Sequence, residues 1–246
     1  TMALTDHDTV AGLAQARRAA QHCGMRFING IEISSVWGRC SVHIVGLGVD
    51  DANVDFVAAT EDLCEKRDRR AVEIGRKLES LGFPGMFEAA EALTQSKANI
   101  SRLHFAQCLM NAGAVKNQQE AFDKYLGEGK PAFVPASWCS VAQAVDLIHS
   151  AGGVAVLAHP GRTRLKNEWE FDSLVEGFAE AGGEAVEIIS GSQSRSFTPR
   201  CLQWARQYNL YGSVGSDFHS LAGMRPLPGA QGQLPEGVKS VLQLLA

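Results

Sequence analysis

Residues 212–223, GSVGSDFHSLAG, place an aspartate and a histidine two positions apart, Asp217 and His219, directly after a short apolar run. Aspartate is a poor strand former that prefers turns, so the strand is expected to end here. If the extended backbone continues to His219, a spacing of two puts both side chains on the same side. The segment is therefore either a turn with a surface histidine or a pair of metal ligands at the edge of a sheet.

Further residues that can bind metals lie on or just after other predicted strands. Glu32 lies inside the apolar stretch GIEIS, where a carboxylate is rarely buried without a partner. An ion pair with an arginine such as Arg39 is one alternative for Glu32, and a single histidine is more often a core or surface residue than a ligand. Taken together, however, the residues at this rim predict a metal site formed by His7, Glu32, His43, His159, Asp217 and His219.

The predicted ligands are imidazoles and carboxylates without a thiolate, a set that suits Mn, Fe or Zn rather than Ca. They are too many for one tetrahedral ion. We therefore expect about two or three divalent ions per chain, most simply Mn, with Glu32 bridging two of them. Such a cluster can hold a metal-bound hydroxide and clamp a phosphate for in-line hydrolysis of a phosphate ester.

Alternating strand and helix patterns predict the scaffold that positions these residues. Strand patterns lie at residues 1–5, 25–34, 40–48, 154–159, 184–190 and 210–215. Helical patterns lie between them, and Thr9 is the predicted cap of the first helix. This alternation predicts parallel strands with helices outside and a site at the strand ends. The predicted fold class is α/β, a barrel formed by residues 1–50 and 138–246 and interrupted by an all-helical insertion, residues 51–137.

Composition limits the function classes. The chain has 246 residues, a net charge of −4 and 45% hydrophobic residues, which is ordinary for a globular protein and shows no basic excess that would indicate nucleic-acid binding. Its 6 cysteines form no CxxC motif, so we expect buried free thiols in a reducing cytoplasm. No apolar run is long enough for a membrane span. We expect a cytoplasmic protein with no membrane and no stable protein partner.

Five motifs in order, LTDHDTVAGL, GIEIS, VHIVGLG, AGGVAVLAHPGR and GSDFH, resemble the PHP (polymerase and histidinol phosphatase) family, over nearly the whole chain. SRLHFAQCLMNAGAV, YLGEGKPAFVP and PLPGAQGQLP resemble its tryptophan-operon-associated bacterial branch. The resemblance implies a distorted (β/α)7 barrel with a trinuclear metal centre. It implies that Glu32 bridges two ions, that Asp217 joins it at the first and that His43 and His159 complete the second. His7 and His219 would hold the third.

The same resemblance implies substrate contacts in the helical insertion, which closes over the substrate in this branch. Arg102 and His104 match its Arg-x-His pair and are expected to contact phosphate and nucleotide. Lys130 and Arg195 are further candidates, for which solvated surface charges are an equal alternative. Asp8 and His104 are the candidates for protonating the leaving oxygen.

One departure from the family concerns the start of the chain. Family members begin with a strand that ends in a His-x-His motif, followed by an aspartate, and this segment is absent before Thr1. It would supply two ligands for the first metal and one for the third. The shortened opening strand favours a chain that starts after it, and the missing βα unit would be on the order of 30 residues.

The resemblance implies a phosphatase that removes the 3′-phosphate of nucleoside 3′,5′-bisphosphates, such as 3′,5′-adenosine bisphosphate, to give the 5′-monophosphate. One alternative is a 5′-to-3′ exoribonuclease that acts on short 5′-phosphorylated RNA, against which the acidic net charge argues weakly. Histidinol phosphate is a further substrate alternative. A non-catalytic metal-binding PHP module is the alternative from another class.

Overall fold

The computed structural model describes residues 1–94, 100–135, 137–219 and 225–245. The chain divides into two compact units, which we call the barrel unit, Thr1–Ala59 with Cys139–Ala246, and the insertion unit, Thr60–Trp138. Residues 95–99 and 136 of the predicted insertion lie outside the described residues.

A curled, seven-stranded sheet forms the centre of the barrel unit, in the order β1-β2-β3-β5-β6-β7, with β4 paired to β2. The strands are β1 Met2–Leu4, β2 Phe27–Trp37, β3 Cys40–Leu47, β4 Cys139–Ser140, β5 Val154–Leu157, β6 Ala185–Ser190 and β7 Tyr211–Gly215. Helices α1 Leu13–His22, α6 Val141–Ser150, α7 Glu168–Glu180 and α8 Thr198–Gln207 alternate with them. The predicted α/β class is confirmed.

The direction of β3 differs from the prediction. β3 runs antiparallel to both β2 and β5, whereas an all-parallel arrangement was expected. The pairing of Trp37 with Cys40 leaves only Gly38 and Arg39 in the connection, too short for the crossover that a parallel pair requires. Gly38 has a φ of 58°, which suits such a tight turn. Because β3 runs backwards, His43 near its beginning lies opposite Ser34 rather than at a strand end.

The first helix begins later than predicted. α1 starts at Leu13 after Gly12, which has no side-chain cap, and Thr9 instead accepts a hydrogen bond from the Ala11 N–H. Thr9 therefore stabilises the turn before the helix rather than the helix end itself.

Close backbone packing holds β1 against β2. A Cβ at Gly30 would lie 2.8 Å from the Leu4 carbonyl oxygen and 2.7 Å from the Thr5 methyl carbon, so only glycine allows this approach. The core beneath the sheet contains fully buried branched side chains, including Ile31, Ile33 and Ile44. This packing sets the position of the residues that follow β1, His7 among them.

All regular secondary structure in the described residues of the insertion unit is helical. α2 Val54–Ser80 crosses into it from the barrel unit, followed by α3 Met86–Ala92, α4 Arg102–Asn111, α5 Gln118–Ala121 and a π-helical turn, Phe122–Leu126. Leu78, Phe105, Leu109 and Leu126 are fully buried in its own core.

Among the described helices none is both long and apolar enough to cross a membrane. Of the six thiols only those of Cys108 and Cys201 are buried, so the expectation of buried thiols is wrong for the exposed Cys23.

Candidate metal centre

The turn after β1 brings His7 to Glu32 on β2. Backbone hydrogen bonds from Glu32 N–H to Asp6 and from Asp8 N–H to Glu32 fasten the turn to the strand. His7 Nδ1 then lies 3.6 Å from Glu32 Oε2, and His43 Nδ1 lies 2.9 Å from Glu32 Oε1. These three side chains offer ligand atoms within 4.8 Å of one another, which is close enough to hold one metal ion.

A second group of three ligands contains the same glutamate. His159 lies two residues beyond the end of β5. Its Nε2 is 2.9 Å from Glu32 Oε1. Asp217, two residues beyond β7, completes the group, with all three ligand atoms again within 4.8 Å of one another. The carboxylate of Glu32 thus belongs to both groups. The resemblance assigned Asp217 and Glu32 to one ion and Glu32, His43 and His159 to a second, and both of these histidines lie 2.9 Å from Glu32 Oε1. The structure brings these residues together, and their division between ions stays a prediction.

His219 lies at the solvent side of these groups. Its Nδ1 is 3.5 Å from Asp217 Oδ1, and its ring centroid is 6.0 Å from that of His7. The six residues predicted as ligands therefore converge in one place. Among the described residues the ion pairs of Glu32 all involve histidines, so the alternative pairing with Arg39 is not found.

The histidines make the buried Glu32 an anion. Burial alone would favour its neutral form, but the charges of His7 and His43 and the hydrogen bonds from His159 and His43 hold the pKa of Glu32 well below its usual range. Burial opposes the charged form of His159 as well, yet the hydrogen bond and charge of Glu32 raise the pKa of His159. Both shifts point to a carboxylate that needs cationic neighbours.

Several residues of the site have a left-handed backbone conformation, with positive φ. His159, Asp217 and Asp8 have φ values of 25°, 49° and 58°. Non-glycine residues seldom adopt positive φ, and such positions concentrate at functional sites. Asp8 is fully buried and accepts a hydrogen bond of 2.7 Å from the Ser34 N–H through Oδ1. That contact ties the left-handed turn to β2.

Sequence reasoning missed Glu187, a buried carboxyl on β6 behind the site. Its Oε2 accepts a 2.7 Å hydrogen bond from the His159 N–H. Burial raises the pKa of Glu187 to about 7, against the opposing charge and N–H of His159. Gly215 makes room for it, since a Cβ there would lie 1.9 Å from Glu187 Oε1. A glutamate inside an apolar strand was the available signal, the same one that identified Glu32.

Of the remaining predicted residues, Arg195 belongs to the barrel unit, and Arg102, His104 and Lys130 belong to the insertion unit. Arg195 is exposed in a short 3-10 turn, and Lys130 is exposed in a turn of the insertion unit. His104 belongs to a capping box at the start of α4, where its Nδ1 accepts a hydrogen bond from the Ser101 N–H. Arg102 lies with its guanidinium carbon 5.6 Å from the ring centroid of Phe122.

Three arginines of the insertion unit form what we call the guanidinium cluster, Arg67, Arg70 and Arg102. Burial and then the charges of Arg102 and Arg67 lower the pKa of Arg70 to about 9. Arg67 and Arg70 also lie over the Trp138 ring, at 5.1 and 6.0 Å from its centroid. Cations held together in this way attract anionic groups such as phosphates.

We predict that Gly215→Ala lowers the free energy of unfolding by about 1–3 kcal/mol, the range for forcing an extra carbon into a packed site. The added Cβ must displace Glu187, which holds the His159 backbone. Urea denaturation measures the change. Ser213→Ala on the same strand is the control, expected to stay within about 0.5 kcal/mol. Equal stability of Gly215→Ala and the control would contradict the packing described here.

Comparison with known proteins places this geometry in a family, although no protein-family model matches the chain. A 3′,5′-nucleoside bisphosphate phosphatase from Chromobacterium violaceum is 43% identical over 219 residues, 89% of this chain and 76% of that protein. The 5′-3′ exoribonuclease Rnm from Escherichia coli strain K12 is 41% identical over 250 residues, 99% of this chain and 83% of that protein.

A solved structure shows the same fold. An amidohydrolase from Chromobacterium violaceum, determined with bound sulfate and without metal, superposes with a TM-score of 0.89 at 40% identity, over 99% of this chain and 84% of that one. The likenesses to Rnm and to this solved structure each cover 99% of the chain. The chain belongs to the PHP family of metal-dependent phosphoesterases, which hydrolyse phosphate esters.

Proposed function

We propose that the protein removes the 3′-phosphate of nucleoside 3′,5′-bisphosphates and leaves the nucleoside 5′-monophosphate. The observation that carries the proposal is the position of Glu32, whose carboxylate belongs to two groups of potential metal ligands. A carboxylate between two cation sites suits chemistry at a phosphorus atom, where charge develops on several oxygens. The likeness to a 3′,5′-nucleoside bisphosphate phosphatase supports this choice of substrate.

The donor atoms fit divalent ions such as Mn. All are imidazole nitrogens or carboxylate oxygens, the ligands that suit Mn, Fe and Zn. Glu32 would contact two ions, with His7 and His43 on one side and His159 and Asp217 on the other, and His219 would add a ligand at the exposed edge. Bound divalent ions would supply an activated water and neutralise charge on the phosphoryl group.

The guanidinium cluster supports a phosphate-binding role for the insertion unit. Arg102 and its neighbours Arg67 and Arg70 would bind the phosphate that is not hydrolysed, and Trp138 offers a flat apolar surface for a base. His104 Nδ1 accepts a hydrogen bond, so the neutral ring carries its hydrogen on Nε2 and would donate a hydrogen bond to a substrate oxygen. Protonation of the leaving oxygen would need the imidazolium form, in which Nδ1 also carries a hydrogen and no longer accepts from Ser101. Asp8 is engaged with the Ser34 backbone, which supports a structural role.

Phosphate release from 3′,5′-adenosine bisphosphate in the presence of Mn²⁺ tests the proposal directly, with the full-length protein. We expect much faster release than from 5′-AMP or p-nitrophenyl phosphate, since neither control offers both phosphates of a bisphosphate. Rates equal to these controls would contradict it.

The likeness to Rnm favours a second candidate, a 5′-3′ exoribonuclease. Stepwise release of mononucleotides from a short 5′-phosphorylated RNA, at a higher rate than phosphate release from the bisphosphate, would favour that activity.

We predict that Arg102→Ala raises the KM for the bisphosphate by about tenfold or more, because a charge-assisted hydrogen bond to phosphate is lost. The metal content should stay the same, since the residue belongs to the insertion unit. Steady-state kinetics and elemental analysis measure both quantities. Arg69→Ala, which removes an exposed arginine paired with Glu65, is the matched control. Unchanged kinetics in Arg102→Ala would assign Arg102 to the surface.

We predict that Glu32→Gln folds but binds less Mn per chain than the wild type and loses turnover. The amide keeps the shape of the side chain but carries no negative charge to offset two cations. The rise in melting temperature on adding Mn²⁺ should shrink as well, because binding stabilises only the state that binds.

Elemental analysis and thermal denaturation with and without Mn²⁺ measure these effects. The matched control is Glu184→Gln, which removes another glutamate that pairs with a histidine, His149, at 3.0 Å. Full metal occupancy in Glu32→Gln would contradict the assignment of Glu32 to the centre.

A further inference from the structure

Two arginines converge on the carboxylate of Asp217. Arg162 Nη1 lies 3.0 Å from Asp217 Oδ2, and Arg225 Nη1 lies 2.5 Å from Asp217 Oδ1. Arg225 Nη1 also donates to the Asp217 carbonyl oxygen at 2.6 Å. The two arginines come from different loops, because Arg162 follows His159 by three positions and Arg225 follows Asp217 by eight.

Each of these arginines uses only one nitrogen for its contacts with the described residues. All side-chain hydrogen bonds and ion pairs of Arg162 and Arg225 within the described part of the chain are made by Nη1. A guanidinium has five N–H donors in a planar fork, so the Nη2 and Nε donors of both residues remain available to a ligand. The side chain of Asp217 is 6% exposed, whereas those of Arg225 and Arg162 are 20% and 42% exposed. Both arginine side chains are thus partly exposed to solvent.

The charges in this region favour the binding of an anion once divalent ions are bound. Asp217 is the carboxylate that the two guanidinium groups contact, and it also supplies a ligand atom to the group formed with Glu32 and His159. Divalent ions on those ligands add further positive charge beside two arginines that already repel each other. A phosphoryl group brings negative charge and planar sets of oxygens that match guanidinium forks. Such a group would be bound more tightly with both arginines and metal ions present than with either alone.

We propose that Arg162 and Arg225 bind non-bridging oxygens of the phosphoryl group that is hydrolysed, while Asp217 holds both guanidinium groups beside the metal ligands. The proposal rests on the proposed function, because it needs a metal-dependent phosphoesterase site at Glu32. It adds two substrate-binding residues from the barrel unit itself. It also implies that metal ions and phosphate increase each other's affinity through these two arginines.

Calorimetric titration of the full-length protein with inorganic phosphate, after saturation with Mn²⁺, tests the proposal. In Arg162→Gln and in Arg225→Gln the phosphate affinity should fall by at least about tenfold, the effect of losing a charge-assisted hydrogen bond. Mn²⁺ affinity without phosphate should stay equal or rise, because a neighbouring positive charge is removed. Arg225→Lys keeps the charge on Asp217 but not the planar fork, so it should also lose phosphate affinity.

Arg200→Gln is the matched control, since Arg200 pairs with the carboxylates of Glu168 and Asp172 away from the metal ligands. It should bind Mn²⁺ and phosphate as the wild type does. Phosphate affinity that stays within twofold of wild type in both glutamine variants would overturn the proposal. A loss of Mn²⁺ affinity with phosphate affinity unchanged would also overturn it and leave both arginines as residues that merely orient Asp217. Wild-type protein that binds no Mn²⁺ would instead refute the proposed function on which the inference rests.

Discussion

The carboxylate of Glu32, buried among imidazoles from three different segments, is the constraint on which the site depends. An isolated carboxylate at this depth would be protonated or would destabilise the fold. Here His7, His43 and His159 surround it and hold its pKa well below the usual range. The arrangement is stable only if cations stay close to both carboxylate oxygens. A site that already needs positive charge is well suited to divalent ions.

Several backbone features bring those imidazoles close to Glu32. The two-residue connection between β2 and β3 reverses the chain, so His43 returns alongside the same strand that carries Glu32. Gly30 lets β1 approach β2 closely, which sets the turn that holds His7. The left-handed conformation of His159 is held from behind by Glu187. Three of the four left-handed non-glycine residues in the described part of the chain, Asp8, His159 and Asp217, therefore lie in or beside the site, as expected where geometry matters more than stability.

The sequence was most informative where a polar residue interrupts an apolar strand. Glu32 and the Asp217/His219 pair stood out for this reason, and the α/β class followed from the alternation of strands and helices. The predicted direction of β3 was wrong, because alternation indicates parallel strands whereas the two-residue connection Gly38-Arg39 forces an antiparallel hairpin. Arg162 and Arg225 could not be found, since their pairing with Asp217 depends on contacts between loops that no local pattern records. His104 was predicted only as a substrate contact. The structure also places it in the capping box of α4, a local role that its position three residues after Ser101 could have indicated.

Anomalous diffraction from crystals of the full-length protein grown with Mn²⁺ tests most directly whether Glu32 is shared between ions. The account predicts two peaks, each about 2.2 Å from a Glu32 oxygen, a typical distance for carboxylate ligation. One peak should also contact His7 and His43, and the other His159 and Asp217. A single peak, or peaks that leave Glu32 beyond ligand distance, would contradict the central claim.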